Sequence, residues 1–379
     1  MPQRLKTDWV LFGTVLSMAF FGLVMVYSAS SVMAQLKFNS SQYFLIRQAS
    51  WLVASICVMM LLKRTHYRWM QSSAVAFTAV GVVLMLLMMV YFIDGRQHRW
   101  IRMGPVGLQP SELAKPALVV FLAFFVTMRA RAINNRHTLF PAALAVGLVT
   151  MGVVIADLGT AVVLAAAATV VFFVAGLEWR YCAIAIAVAS VGVVFFIVSK
   201  PYRLARIVGY VDPDYKLIDK IDEQGRVKAY LRTSLTARDT SYQAEQSKIA
   251  VGAGGPAGLG LMQGKQKLLY LPEAHNDFIY AVVSEEIGLL GSLGVLAGFL
   301  LILWRGLRAA VCINDDFGRY LALGITTMIV VQGFMNMSVV LAMMPTKGIP
   351  LPMISYGGNS LLSTLALMGM LLNVSEHAG

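Results

Sequence analysis

The sequence predicts an all-α integral membrane protein, a polytopic bundle of about ten transmembrane helices with a large extracytoplasmic loop between helices seven and eight. Three observations carry that expectation. Hydrophobic residues make up 58% of the 379 and charged ones 13%, with a mean hydropathy of +0.71, a composition suited to lipid rather than water. Ten apolar segments approach or exceed the length that crosses a hydrocarbon core of roughly 30 Å, about 20 helical residues. These runs are too long and continuous for barrel strands, and lipid offers no water to satisfy exposed backbone groups, so they are expected to be helices.

The segments are 9–29, 43–62, 74–93, 112–128, 139–156, 158–176, 181–199, 278–304, 318–343 and 358–374. The first follows MPQRLKTDW without a small-residue cleavage site, so it is expected to stay as an anchor. Arg4 and Lys6 precede it, Lys63, Arg64 and Arg68 follow the second, Arg129, Arg131 and Arg136 the fourth, and Arg305, Arg308 and Arg319 the eighth. All fall on one side, which the positive-inside bias makes cytoplasmic, and an even number of spans returns the C-terminus there. The net charge of +12 suits an anionic membrane surface or an anionic substrate, and no nucleic-acid motif accompanies it. Cys57, Cys182 and Cys312 lie in or beside apolar runs without metal spacing and read as small hydrophobes.

Three polar stretches fall on the outer side. DGRQHRWIRMGP places Arg96, Arg99 and Arg102 where arginine is sparse; the loop is either tolerated or a cationic patch for an anionic ligand, since guanidinium forks match phosphate oxygens. The stretch 200–276 is too long for a connector. Its part around DPDYKLIDKIDEQGRVKAY reads as a solvated excursion, and SYQAEQSKIAVGAGGPAGLG begins as a short amphipathic helix and ends in glycines that permit tight turns or close backbone approach. No βαβ unit surrounds those glycines, so they are not a dinucleotide loop. MMPTKGIPLPMISYGGNS cannot be a regular helix, and Lys347 within it is either a cavity-facing cation or a snorkelling interface lysine.

The chemistry is expected around KQKLLYLPEAHNDFIYAVVSEEIG, Lys265 to Gly288. Asp277 sits where polar loop becomes the apolar run FIYAVV, and a carboxylate there is costly without a partner or a purpose. His275 is a secondary candidate, and Lys265 and Lys267 are nearby cations. Glu285 and Glu286 fall inside the eighth span and are expected to tie helices together. Glu112 and Lys115 share one helical face and either lock packing or touch substrate. Asp157 is placed to cap the following helix.

RWIRMGPVGLQPSELAK, YQAEQSKIAVGAGG, KQKLLYLPEAHNDF and PTKGIPLPMISYGG together resemble the SEDS family of shape, elongation, division and sporulation proteins, lipid-linked peptidoglycan polymerases. The likeness spans most of the chain, which would make 1–379 a single domain of that type with 200–276 as a loop within it. The PTKG lysine and the KQK before YLPEAH are more similar to the division member than to the elongation member. Two departures stand out: Ile155 and Ala156 replace the family's usual residues before Asp157, and the excursion within 211–240 is longer than expected.

The resemblance implies a glycosyltransferase of the bacterial cytoplasmic membrane that extends glycan chains from lipid II at the outer leaflet, with undecaprenyl diphosphate leaving. It implies Asp277 as general base, and Arg102, Lys115, Lys347, Glu112, Arg99, Lys265, Lys267 and His275 as substrate-binding candidates. The transfer is expected to invert the anomeric centre. A class B penicillin-binding protein is the implied partner, alongside other division or elongation proteins. No dedicated metal ligand set is visible, and a divalent cation such as Mg2+ or Mn2+ remains an open expectation for the diphosphate. A lipid II flippase and a non-catalytic scaffold are the alternative readings.

Overall fold

A computed structural model describes residues 7–94, 99–103, 106–199, 201–211, 236–268, 270–345 and 348–378. Arg96, Lys347 and the charged excursion between 212 and 235 lie outside them. Helix α1 spans Trp9–Phe38; Asp8 caps its start by accepting from the Leu11 amide at 3.1 Å, and Asn39 ends it in the left-handed region, φ 53°. That stop lies nine residues beyond the apolar run 9–29, because the turn residue rather than the loss of hydropathy ends the helix. Helices α2 (Tyr43–Arg64) and α3 (Ser73–Ile93) follow.

An unexpected element comes next: β1 (Ile101–Met103) and β2 (Val106–Leu108) form a small antiparallel hairpin pairing Arg102 with Gly107. Asn359 ties it to the bundle by donating to the Gly107 carbonyl at 2.6 Å. Helix α4 (Pro110–Arg129) starts on a proline, which costs nothing at a first-turn position that lacks an amide acceptor. Helices α5 (Arg136–Ala156) and α6 (Leu158–Val174) meet at Asp157, which accepts from the Gly159 amide at 2.9 Å and the Thr160 hydroxyl at 2.6 Å. The expected capping role of Asp157 is thus present, despite Ile155 and Ala156.

Helix α7 (Trp179–Val198) is largely exposed on the bundle's edge. The polar stretch after it contains two helices, α8 (Pro201–Val211) and α9 (Thr236–Gly254). The chain then completes the bundle with α10 (Ile279–Cys312), α11 (Asp316–Val340) and α12 (Gly358–His377). Among the described residues, nine helices are long and apolar enough to cross a membrane, and α6, with 17 residues, is a shorter apolar helix of about 25 Å. The ten anticipated segments therefore all exist as helices. Alternation of the spans puts Asp157, α8, the start of α10 and the end of α11 on one face, the second; the starts of α1 and α11 lie on the first.

Helices α4, α11 and α12 are mostly buried and form the axis of the bundle. Salt bridges close the first face: Arg305 to Asp8 at 2.7 Å and Lys63 to Glu376 at 2.7 Å. Near the second face α10 kinks at Gly288, φ 74° and ψ −158°. The glycine-rich segment after α9 docks there: Leu259 and Gly260 amides donate to the Glu285 and Glu286 carbonyls at 3.0 and 2.9 Å, and Leu289 N–H donates to the Gly255 carbonyl at 2.9 Å. A Cβ on Gly288 would run into the Gly258 amide, and one on Gly254 into the Ser284 carbonyl. The close approach expected of these glycines is what they provide.

Candidate active site

Asp277 occupies a short non-helical bridge between the loop and α10, whose first residue is Ile279. Its neighbours His275 and Phe278 are each 4% exposed, whereas Asp277 keeps part of its surface open. Burial pushes its carboxyl up to about 7; Arg99 pulls the other way, Asp157 and Glu273 add to the rise, and Arg206 opposes it. A carboxylate with that affinity is well matched to accept a proton near neutral pH.

The opposing wall is the non-helical stretch before α12. A Cβ at Gly348 would come within 2.8 Å of Asp277 Oδ2, so any larger residue there would require the carboxylate to shift. Asn336 of α11 donates at 2.7 Å to both the Asp277 and the Ile349 carbonyls. Ser355 donates to the Asn276 carbonyl at 2.6 Å and accepts from the Leu351 amide at 2.8 Å. The Tyr356 amide reaches the His275 carbonyl at 3.0 Å. These bonds let irregular backbone persist at this depth, because protein covers and satisfies it.

The cations separate into two groups. Arg99 is partly buried, its Nε has no hydrogen-bond partner among the described residues, and its backbone amide is held by Asp94 at 3.1 Å. Arg206, on α8, is the second cation that acts on Asp277. The one local signal for Arg206 in the sequence is the amphipathic-helix spacing of Leu204, Ile207, Val208 and Val211 around it. Arg102 and Lys265 are exposed at the same face.

Lys115 and Lys267 are instead committed to internal partners. Lys115 Nζ lies 2.8 Å from Glu112 Oε2, both 2% exposed, and Ser363 donates to the same oxygen at 2.8 Å. Lys267 Nζ is 2.6 Å from Glu286 and 3.0 Å from Ser28 Oγ. Glu285 accepts the Lys265 amide at 2.8 Å, and Glu286 the Met262 amide at 3.0 Å. Both glutamates therefore fasten the loop to α10; Glu286, which also accepts from Ser28, ties α10 to α1 as expected, whereas Glu285 holds loop amides instead of a second helix. His275 packs between Phe44 and Tyr356, at 4.9 and 5.5 Å between ring centroids, and burial lowers its pKa. It is placed to support the loop.

Two surface hollows lie away from Asp277. One, about 420 Å3, is lined by Arg136, His137, Phe140 and Pro141 at the first face; the other, about 180 Å3, lies between α10 and α11 beside Tyr280 and Phe334. Neither brings an acid and a base together. Among the described residues no group of three or more His, Cys, Asp or Glu side chains is arranged to hold a metal ion, and no step below is routed through one.

A polytopic helical membrane protein with one recessed carboxylate between a loop and a strap, flanked by arginine, is the class that fold and site define. Comparison gives the family. Residues 8–379 match the profile of the cell cycle proteins FtsW, RodA and SpoVE. The chain is 38% identical over 98% of its length, and 95% of the relative's, to the probable peptidoglycan glycosyltransferase FtsW of Geobacter metallireducens. It is 34% identical to stage V sporulation protein E of Bacillus subtilis, over 99% of each chain. It is also similar to a chain of a solved peptidoglycan synthase complex described for its coordination of polymerization and crosslinking, with a TM-score of 0.75, 27% identity and 99% coverage of each. This chain belongs to the SEDS family.

Proposed function

We propose that this chain is a peptidoglycan glycosyltransferase that polymerises lipid II at the outer face of the bacterial cytoplasmic membrane, in cell division. The observation that carries the reading is the recess of Asp277, with its carboxyl raised to about 7 and Arg99 beside it. The names of its relatives supply the reaction class, and the charge bias of the loops supports a reading with both termini cytoplasmic and the second face outside.

Asp277 takes the proton from the acceptor sugar hydroxyl as that oxygen bonds to the anomeric carbon of the donor. The bond from that carbon to the diphosphate oxygen breaks, and undecaprenyl diphosphate leaves with the electron pair. The single displacement inverts the centre, and the proton on Asp277 is then lost to solvent. Arg99 and Arg206 offer fixed positive charge to the departing diphosphate, worth more in a partly dry recess than in bulk water. Arg102 and Lys265 extend that basic rim for the rest of the substrate, and a class B penicillin-binding protein uses the strands made.

The test is gel analysis of glycan made from purified lipid II by the parent and by Asp277→Asn, each with and without the transpeptidase. Loss of polymer with intact folding and partner binding supports the assignment. Polymer at the parental rate overturns it. Lipid movement across vesicles without polymer would favour a flippase, and full activity of the partner on the variant alone a scaffold.

A further inference from the structure

Asn336 lies inside the axial helix α11, 1% exposed, yet its amide nitrogen donates to two segments that meet at the site. Nδ2 donates at 2.7 Å to the carbonyl of Asp277 and at 2.7 Å to that of Ile349. The orientation of the amide is fixed, since the reverse one would set Oδ1 against two carbonyl oxygens. Oδ1 is buried and takes no donor among the described residues. One turn away, Gln332 donates to the Pro350 carbonyl of the strap at 2.9 Å.

We propose that Asn336 is a positioning residue for the transfer reaction: it clamps the backbone of Asp277 to that of Ile349, and so fixes the carboxylate against the strap at Gly348. The inference rests on Asp277 being the base. A side chain held at its backbone delivers a stable angle and distance to the acceptor hydroxyl, and a misplacement of about 1 Å is enough to cost roughly 100-fold in rate. Two buried carbonyls left without a donor would drift toward water, taking Asp277 away from Gly348. Among the described residues Arg99, Arg206, Asp157 and Glu273 are the charged groups that act on the carboxylate, whereas the hydrogen bonds of Asn336 go to the Asp277 and Ile349 carbonyls.

The experiment measures kcat, KM and the acid limb of the pH–rate profile for polymerisation of purified lipid II by the full chain with its transpeptidase. The variants are Asn336→Ala, Asn336→Ser, Gln332→Met and Asp277→Asn, and melting temperature is followed for each. The expected result is a fall in kcat of roughly 10- to 100-fold for Asn336→Ala, with KM within about threefold and the acid limb moved. Asn336→Ser, which keeps one donor, recovers part of kcat and serves if the alanine variant does not fold. Gln332→Met keeps the parental limb. The proposal is overturned if the alanine or serine variant keeps parental kcat and limb. It is also overturned if Asn336 and Gln332 variants lose rate alike, in step with melting temperature, on an unmoved limb. Asp277→Asn separates the two readings: inactive beside a parental Asn336 variant, only the clamp fails; fully active, both fail.

Discussion

Lys267 Nζ lies 2.6 Å from Glu286 Oε1, and neither side chain is more than 3% exposed. The pair joins the loop before Asp277 to the first turns of α10, with Ser28 of α1 as third member. Removing one charge strands the other in a dry place. Glu286→Leu should therefore destabilise the fold by about 3–5 kcal/mol, and the double change Lys267→Met with Glu286→Leu should recover most of that loss. Thermal unfolding in detergent over the four-way cycle checks it; additive losses would show that the two do not act as a pair.

Asp277 also predicts a pH dependence of stability. Its folded pKa, about 7, stands above the ordinary 3.8, so between those values the folded chain keeps a proton that the unfolded chain has released. Stability then falls as pH rises from about 4 to about 7 and levels beyond, by at most about 4 kcal/mol and less with the solvent contact the side chain retains. Asp277→Asn removes the ionisation, so its gain in melting temperature over the parent should be larger at pH 8 than at pH 5. An equal gain at both values would contradict the raised affinity.

The kink at Gly288 makes a third prediction. Gly288→Ala and Gly254→Ala each force a methyl into backbone of the neighbouring segment, and at Gly288 the left-handed φ adds strain, so each should cost about 3 kcal/mol or more. Gly147, in α5, has nothing within 4 Å of an added Cβ, and its alanine variant should match or slightly exceed the parent. Folded yield and melting temperature of the three decide the matter.

Much of the bundle was legible because a membrane span writes itself as one long apolar run, and Asp277 because it interrupts such a run. Helix ends were less so: α1 passes 29 until left-handed Asn39 stops it, and α10 passes 304 to Cys312, where Ile313 becomes extended. Lys267 looked like a substrate cation since its carboxylate partner is 19 residues away, within a span. Arg206 reaches the site from α8, far from Asp277 in sequence, and Asn336 is one of several polar residues in an apolar helix. Proximity across the bundle, not local pattern, gives both their meaning.

Gln48 of α2 is 2% exposed, and its amide finds the Ser355 carbonyl at 3.2 Å and the Gly357 N–H at 3.3 Å. Those partners are translated some three hundred codons later. For most of biosynthesis, then, α2 sits in lipid with its amide unanswered and the groove for α12 vacant. A premature stop ahead of residue 355 would leave nearly the whole polypeptide inserted yet permanently open along that seam, a natural substrate for membrane quality-control proteases.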